Sequence, residues 1–89
     1  MKQIRFSRHA SQRMLIRGAT ESEVKETIHT SKWSPALENK QQARRTYKFE
    51  QPSPISQQVY KSKTVHAIFV EENDEIIVVT VMVYYGDEE

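Results

Sequence analysis

The sequence predicts an α+β fold in which two N-terminal helices pack on one face of a three- to four-stranded antiparallel sheet. Both helical segments lie within residues 7–30, and each offers only a narrow apolar face, so neither can form a core without a sheet. The rest of the chain carries β-branched and aromatic runs separated by polar turns. At 89 residues, the chain is expected to form one domain, residues 1–89, with a single core.

Local signals mark the ends of both helices. Ser7 is a good N-cap for the first helix, and Gly18 supplies a stop directly after its last turn. Thr20 and Glu23 have the spacing of a capping box, which predicts the start of a second helix that runs to about Thr30.

The strands are predicted from alternation and turn residues. Residues 32–37 contain Pro35, which confines them to an edge strand or an extended loop. Residues 44–50 alternate, so that one face carries Arg45, Tyr47 and Phe49 and the other carries Arg44, Thr46 and Lys48. Residues 51–58 contain two prolines and two serines and are expected to form a surface loop.

Two later strands meet at a predicted hairpin turn. The first covers residues 64–71, and it either starts there or continues from a strand that begins near residue 59. Asn73-Asp74 marks the turn. Residues 76–85 are apolar on both faces except for Thr80, which is typical of a central strand. Residues 2–6 alternate weakly between polar and apolar side chains, which fits a short strand or an extended segment before the first helix.

Charge is divided unevenly along the chain. All 13 Lys and Arg residues lie in residues 1–63, whereas seven of the 12 acidic residues lie in residues 71–89. This distribution favours a positive surface for a polyanion, although the charges could also interleave once the chain folds. The acidic tail, residues 87–89, could fold back onto the basic surface and mimic phosphate.

Several function classes lack a supporting pattern. The chain has no cysteine, so it has neither a disulfide framework nor a Cys-based zinc site. The three histidines and the acidic residues show no metal-ligand spacing, no glycine-rich phosphate loop is present, and no cofactor is expected. Without an apolar run of membrane length, the chain is expected to be soluble and cytoplasmic.

One helix face combines residue types that suit phosphate chemistry. His9, Arg13 and Arg17 recur every fourth residue on the first helix, within one arc of its surface and without an acidic neighbour on that helix. A histidine can transfer protons near neutral pH, and arginine binds phosphate oxygens with a planar fork. The alternative is structural, because the same three residues could clasp the helices to the sheet.

The opening residues also resemble a known bacterial family. Phe6-Ser7-x-His9-Ala10-x-x-Arg13-Met14-x-x-Arg17-Gly18 is similar to the opening of a widespread domain-of-unknown-function family, in which an acidic capping box and a late Val-Val-Thr-Val strand follow. This chain has both, the second at residues 78–81. Members of that family resemble the RelE- and BrnT-type ribonuclease toxins of toxin–antitoxin pairs.

The resemblance implies cleavage of mRNA without a metal ion, with RNA and a cognate antitoxin protein as partners. The candidate catalytic residues are His9, Arg13, Arg17, Lys48 and Tyr84, and the candidate nucleic-acid-binding residues are Arg5, Arg8, Arg44 and Arg45. His66 is a second histidine that could act in acid–base work or be an ordinary strand residue. A noncatalytic binding or interaction module of the same fold remains the alternative function.

Overall fold

A computed structural model of the protein describes residues 3–48 and 59–86. The elements are, in chain order, β1 (Gln3–Phe6), α1 (Arg8–Arg17), α2 (Glu21–Thr30), β2 (Ser34–Pro35), β3 (Gln41–Lys48), β4 (Ser62–Glu72) and β5 (Glu75–Gly86). The predicted loop at residues 51–58, the face assigned to Phe49 and the acidic tail at residues 87–89 lie outside the described residues.

The described strands form one mixed sheet of five strands in the order β1-β5-β4-β3-β2. The prediction of a three- to four-stranded antiparallel sheet was therefore wrong. The helices are also not the first elements, because β1 precedes them and pairs in parallel with β5, from Gln3 opposite Glu75 to Phe6 opposite Val78. The apolar β5 needs a neighbour on each side, and β1 supplies the second one with Ile4 and Phe6 packed against the core.

Both helices begin and end where the sequence indicates. The Ser7 hydroxyl accepts a hydrogen bond from the Ala10 amide at 3.0 Å, and Gly18 ends α1 with a φ of 87°, which favours glycine. The Thr20 and Glu23 capping box is complete, with each side chain accepting a hydrogen bond from the other residue's amide. These local predictions are confirmed. Neither helix in the described ranges has the length and apolarity needed to cross a membrane.

The two helices cover the same face of the sheet, here called the helix face. α1 packs against β5, and α2 packs against β3 and β4. The buried apolar core between the two layers consists of Ala10, Met14, Ala19, Val24, Ile28, Ala43, Val65, Ala67, Phe69, Ile76, Val78 and Val81. Side chains alternate along each strand, so the neighbours of these strand residues point to the opposite face, here called the open face, which neither helix covers.

A buried polar cluster joins the two helices to the helix face. Lys63 is buried, with 4% of the residue exposed. Its ammonium donates to the Gly18 carbonyl at 2.7 Å and lies 2.8 Å from the Glu23 carboxylate. Tyr85 donates its hydroxyl to the Arg17 carbonyl at 2.6 Å, and Tyr47 donates to the Glu23 carbonyl at 3.0 Å. These hydrogen bonds hold the connection between α1 and α2 against the sheet and satisfy backbone carbonyls at the end of α1.

Candidate nucleic-acid interface

The helical residues predicted as a site lie in the layer that covers the helix face. His9 is exposed and Arg13 is partly buried, and among the described residues no ion pair joins Arg13 to Glu21 or Glu23. Arg17 donates from Nη1 to the Val81 carbonyl at 2.7 Å, beyond the point where β1 ends beside β5. Arg17 therefore binds the edge of β5, which is the clasp geometry weighed as its alternative role.

The strand candidates divide between the two faces. Arg45 lies on the helix face, where it pairs with Glu26 at 3.4 Å and donates to the Thr30 hydroxyl. Arg44, Lys48 and Tyr84 lie on the open face.

Two further arginines lie apart from this group. Arg8 is exposed at the start of α1. Arg5 lies on β1 and pairs with Glu75 at 3.2 Å. The predicted site residues are therefore not brought together at one place. His9, Arg13 and Arg17 are separated by the sheet from Lys48 and Tyr84.

The open face carries a block of polar side chains across β3, β4 and β5, here called the polar grid. Strand register gives its three rows, which are Arg44–His66–Met82, Thr46–Thr64–Tyr84 and Lys48–Ser62–Gly86. No acidic residue occupies any of these nine positions. Arg44, Lys48 and His66 thus lie on the same side of the sheet, and no acidic residue stands beside them in their rows.

His66 lies between Arg44 and Met82 in the polar grid and is 6% exposed. The Gln42 side chain donates from its amide nitrogen to the Pro35 carbonyl at 3.0 Å, and its oxygen lies 2.7 Å from His66 Nε2. Because the Pro35 carbonyl can only accept, the Gln42 oxygen must face His66 and accept from it. Nε2 therefore carries a proton, and in the neutral ring Nδ1 holds the free electron pair.

The surroundings of His66 favour its neutral form. Burial lowers the pKa of His66, and the positive charge of Arg44 lowers it further. Its Nδ1 atom is buried and, within the described residues, has no hydrogen-bond partner. A buried acceptor without a donor is costly, and such groups are common at sites that bind or react. The ring thus combines a fixed tautomer with an unused basic nitrogen.

Hydroxyl groups and an aromatic ring extend the site beside His66. The ring centroids of Tyr84 and His66 are 6.4 Å apart, and Tyr84 is 50% exposed. The hydroxyls of Thr46 and Thr64 lie 2.8 Å from each other. Tyr84 therefore offers a surface on which a base could stack, next to donors for a sugar or a phosphate.

Two depressions lie on either side of the Gln42–His66 pair. One, here called the hairpin pocket, has a volume of about 790 Å³ and runs from the β2–β3 connection across the apolar part of the open face. The other, here called the cation pocket, measures about 230 Å³ and includes Lys32 and Arg44 in its lining. Gln42 and His66 line both. In the described ranges, no three His, Asp or Glu side chains come together as ligands for a metal ion.

Sequence reasoning left Gln42, Thr46 and Thr64 out of the site and kept His66 only as a second possibility. The alternation of Val65, His66 and Ala67 does place His66 opposite the core. Its position beside Arg44 depends on the register of β3 against β4, which no local signal gives.

These features define a two-layer α+β protein whose open sheet face carries a cationic polar grid. Residues 6–83 match the family described as Domain of unknown function (DUF4258), and the chain belongs to that family. No curated protein and no solved structure matches the chain.

Proposed function

We propose that this protein binds single-stranded RNA across the polar grid and cleaves it without a metal ion, as the toxin of a toxin–antitoxin pair. The observation that carries the proposal is the pairing of Arg44 with His66 in adjacent strands, in a block of the sheet that has no acidic side chain. An arginine beside a histidine supplies a phosphate ligand and a proton-transfer group within one cross-strand pair.

The chemistry assigned to the grid follows from its side chains. Once a movement of a neighbouring side chain or of the ring exposes it, His66 Nδ1 takes the proton of a ribose 2′-OH, and the 2′-oxygen attacks the adjacent phosphorus. A 2′,3′-cyclic phosphate forms, and the bond to the 5′-oxygen breaks. Arg44 and Lys48 bind the phosphate oxygens while charge builds up on them. Tyr84, whose hydroxyl donates to Met82 Sδ at 3.4 Å in the free protein, supplies a proton to the leaving oxygen.

The resemblance to RelE- and BrnT-type toxins supports the same proposal and extends it to partners. It implies mRNA as the substrate and a cognate antitoxin as the protein partner.

The experiment compares variants of the grid with matched variants elsewhere. Purified protein is incubated with single-stranded RNA in EDTA. We expect His66→Ala to lower the cleavage rate about 100-fold or more, because a well-placed proton-transfer group contributes about 10²–10⁴-fold. His29→Ala, which removes an exposed histidine from α2, should leave the rate unchanged. No cleavage by the wild type, or equal rates in both variants, would contradict the proposal.

RNA affinity gives a second readout. Lys48→Ala should weaken binding and reduce the salt dependence by about one phosphate contact, whereas Lys25→Ala on the exposed side of α2 should not. His9→Ala and Arg13→Ala test the site predicted on α1. Loss of cleavage in these two, with His66→Ala active, would assign the chemistry to the helical layer.

The burial of His66 favours a second candidate, an RNA-binding module that does not cleave. Nδ1 has no contact with solvent, so it can act as a base only if a neighbouring side chain moves or the ring turns. Under this candidate, wild-type protein binds RNA with a steep salt dependence and leaves it intact. Product analysis by gel after long incubation separates the two functions.

A further inference from the structure

The hairpin pocket is larger than the cation pocket, and its floor differs from the polar grid beside it. The floor is formed by β4 and β5 and is mainly apolar, with Ile68, Val79 and Met82. Three polar side chains border this floor, Gln42 on β3, His66 on β4 and Thr80 on β5. Apolar surface with a few placed polar groups is the usual composition of a site for a small organic ligand.

A tight turn in the segment that connects β2 and β3 forms the wall of the hairpin pocket. Glu38 and Asn39 both have positive φ, 59° and 62°, and the Lys40 amide donates to the Leu37 carbonyl at 3.2 Å. This is the geometry of a type I′ turn, in which glutamate is an unfavourable residue. The turn presents Leu37, which is 86% exposed, along the pocket.

The charges at the wall cancel within the turn. The Lys40 ammonium lies 3.0 Å from the Glu38 carboxylate, so this side of the pocket presents an ion pair rather than a single charge. The cation pocket, on the other side of His66, has Lys32 and Arg44 in its lining and no acidic residue. One depression therefore suits a neutral planar group and the other suits an anion.

We propose that a single nucleotide of the RNA spans the Gln42–His66 pair, with its base in the hairpin pocket and its phosphate in the cation pocket. The inference rests on the proposed function and deepens it by naming the subsite that holds a base. A nucleobase has apolar faces and a polar edge, which match the apolar floor and the groups on Gln42 and Thr80. The thioether of Met82 is polarizable and packs well on a ring.

Nucleotide binding is tested by NMR on the intact chain with labelled methyl groups. The probes are AMP, GMP, CMP and UMP, with ribose 5-phosphate and inorganic phosphate as controls for the anion alone. We expect a nucleotide to shift the methyl signals of Leu37, Ile68 and Met82, and the two controls to leave these signals in place. Leu15, 84% exposed on α1, is the matched methyl that should not respond.

A variant separates pocket binding from surface binding. Ile68→Ala should weaken nucleotide binding roughly tenfold, because base stacking on the floor is reduced. Leu15→Ala should leave the affinity unchanged. Equal shifts with inorganic phosphate, shifts confined to other methyl groups, or unchanged affinity in Ile68→Ala would overturn the inference. So would an apolar peptide that shifts the pocket methyls while all four nucleotides fail.

The outcomes distinguish this inference from the proposed function. Protein that binds nucleotides in the hairpin pocket but leaves RNA intact supports the subsite and contradicts the ribonuclease. Protein that cleaves RNA without nucleotide-dependent shifts at Ile68 and Met82 supports the ribonuclease and overturns the subsite.

Discussion

His66 Nε2 donates to the Gln42 side-chain oxygen at 2.7 Å, and that amide is itself anchored on the Pro35 carbonyl at 3.0 Å. The β2–β3 hairpin thereby decides which nitrogen of His66 carries the proton. An orienting group of this kind is a general requirement for a histidine that acts as a base.

Gln42→Glu should change the proton affinity of His66. A carboxylate beside Nε2–H stabilises the charged ring, so we expect the pKa of His66 to rise above its wild-type value. NMR titration of the imidazole carbons measures the change. If His66 is the base in RNA cleavage, the acidic limb of the pH–rate profile should move to higher pH.

The matched control is Gln41→Glu, which adds the same charge one residue away on the opposite face of β3. An equal change in both variants would show that His66 senses net charge rather than its partner.

Stability should depend on pH through His66. Its folded-state pKa is lowered by burial and by Arg44, so the unfolded chain binds a proton first, near its ordinary pKa of about 6.5. The unfolded state then holds more protons than the folded state, and the free energy of unfolding falls as pH drops below that value. Urea unfolding at pH 7.5, 6.5 and 5.5 should show this decline, with a smaller slope in His66→Gln. If the free energy of unfolding depended on pH equally in both proteins, His66 would not be the cause of the decline.

Lys63→Met should be strongly destabilising. The substitution leaves Glu23, whose side chain is 23% exposed, without its buried cation, and it leaves the Gly18 carbonyl without that donor. Breaking a buried pair costs about 3–5 kcal/mol, and we expect about 3 kcal/mol because the capping box still holds the carboxylate. Lys40→Met removes the partner of Glu38, which is 84% exposed, and should cost less than about 1 kcal/mol. Similar losses in the two variants, measured by urea unfolding, would contradict this account of the cluster.

Arg17→Ala tests whether Arg17 holds α1 against β5. Loss of the charged hydrogen bond to the Val81 carbonyl should lower stability by about 1–2 kcal/mol and leave RNA affinity unchanged below the melting temperature. Arg8→Ala, which removes an exposed arginine from the same helix, should change stability by less than about 0.5 kcal/mol. A normal melting temperature with lost RNA affinity in Arg17→Ala would instead make Arg17 part of the interface.

Local structure was predictable from the sequence because its causes are local. The Ser7 cap, the Gly18 stop, the Thr20–Glu23 capping box and the Asn73-Asp74 turn each act within a few residues, and all are present. The pairing of β1 with β5 was not predictable, since it joins residues about seventy positions apart and a four-residue strand has little periodicity. The position of His66 opposite Arg44 was missed for a related reason, because it depends on register across a long connection.

The parallel pairing of β1 with β5 also constrains when the chain can fold. During synthesis β1 emerges well before its partner, so this pair of strands cannot form until β5 has left the ribosome. Until then the apolar face of α1 lacks the strand that it packs against. The core is therefore completed only when β5 takes its place between β1 and β4, and we expect a chain truncated before β5 not to form it.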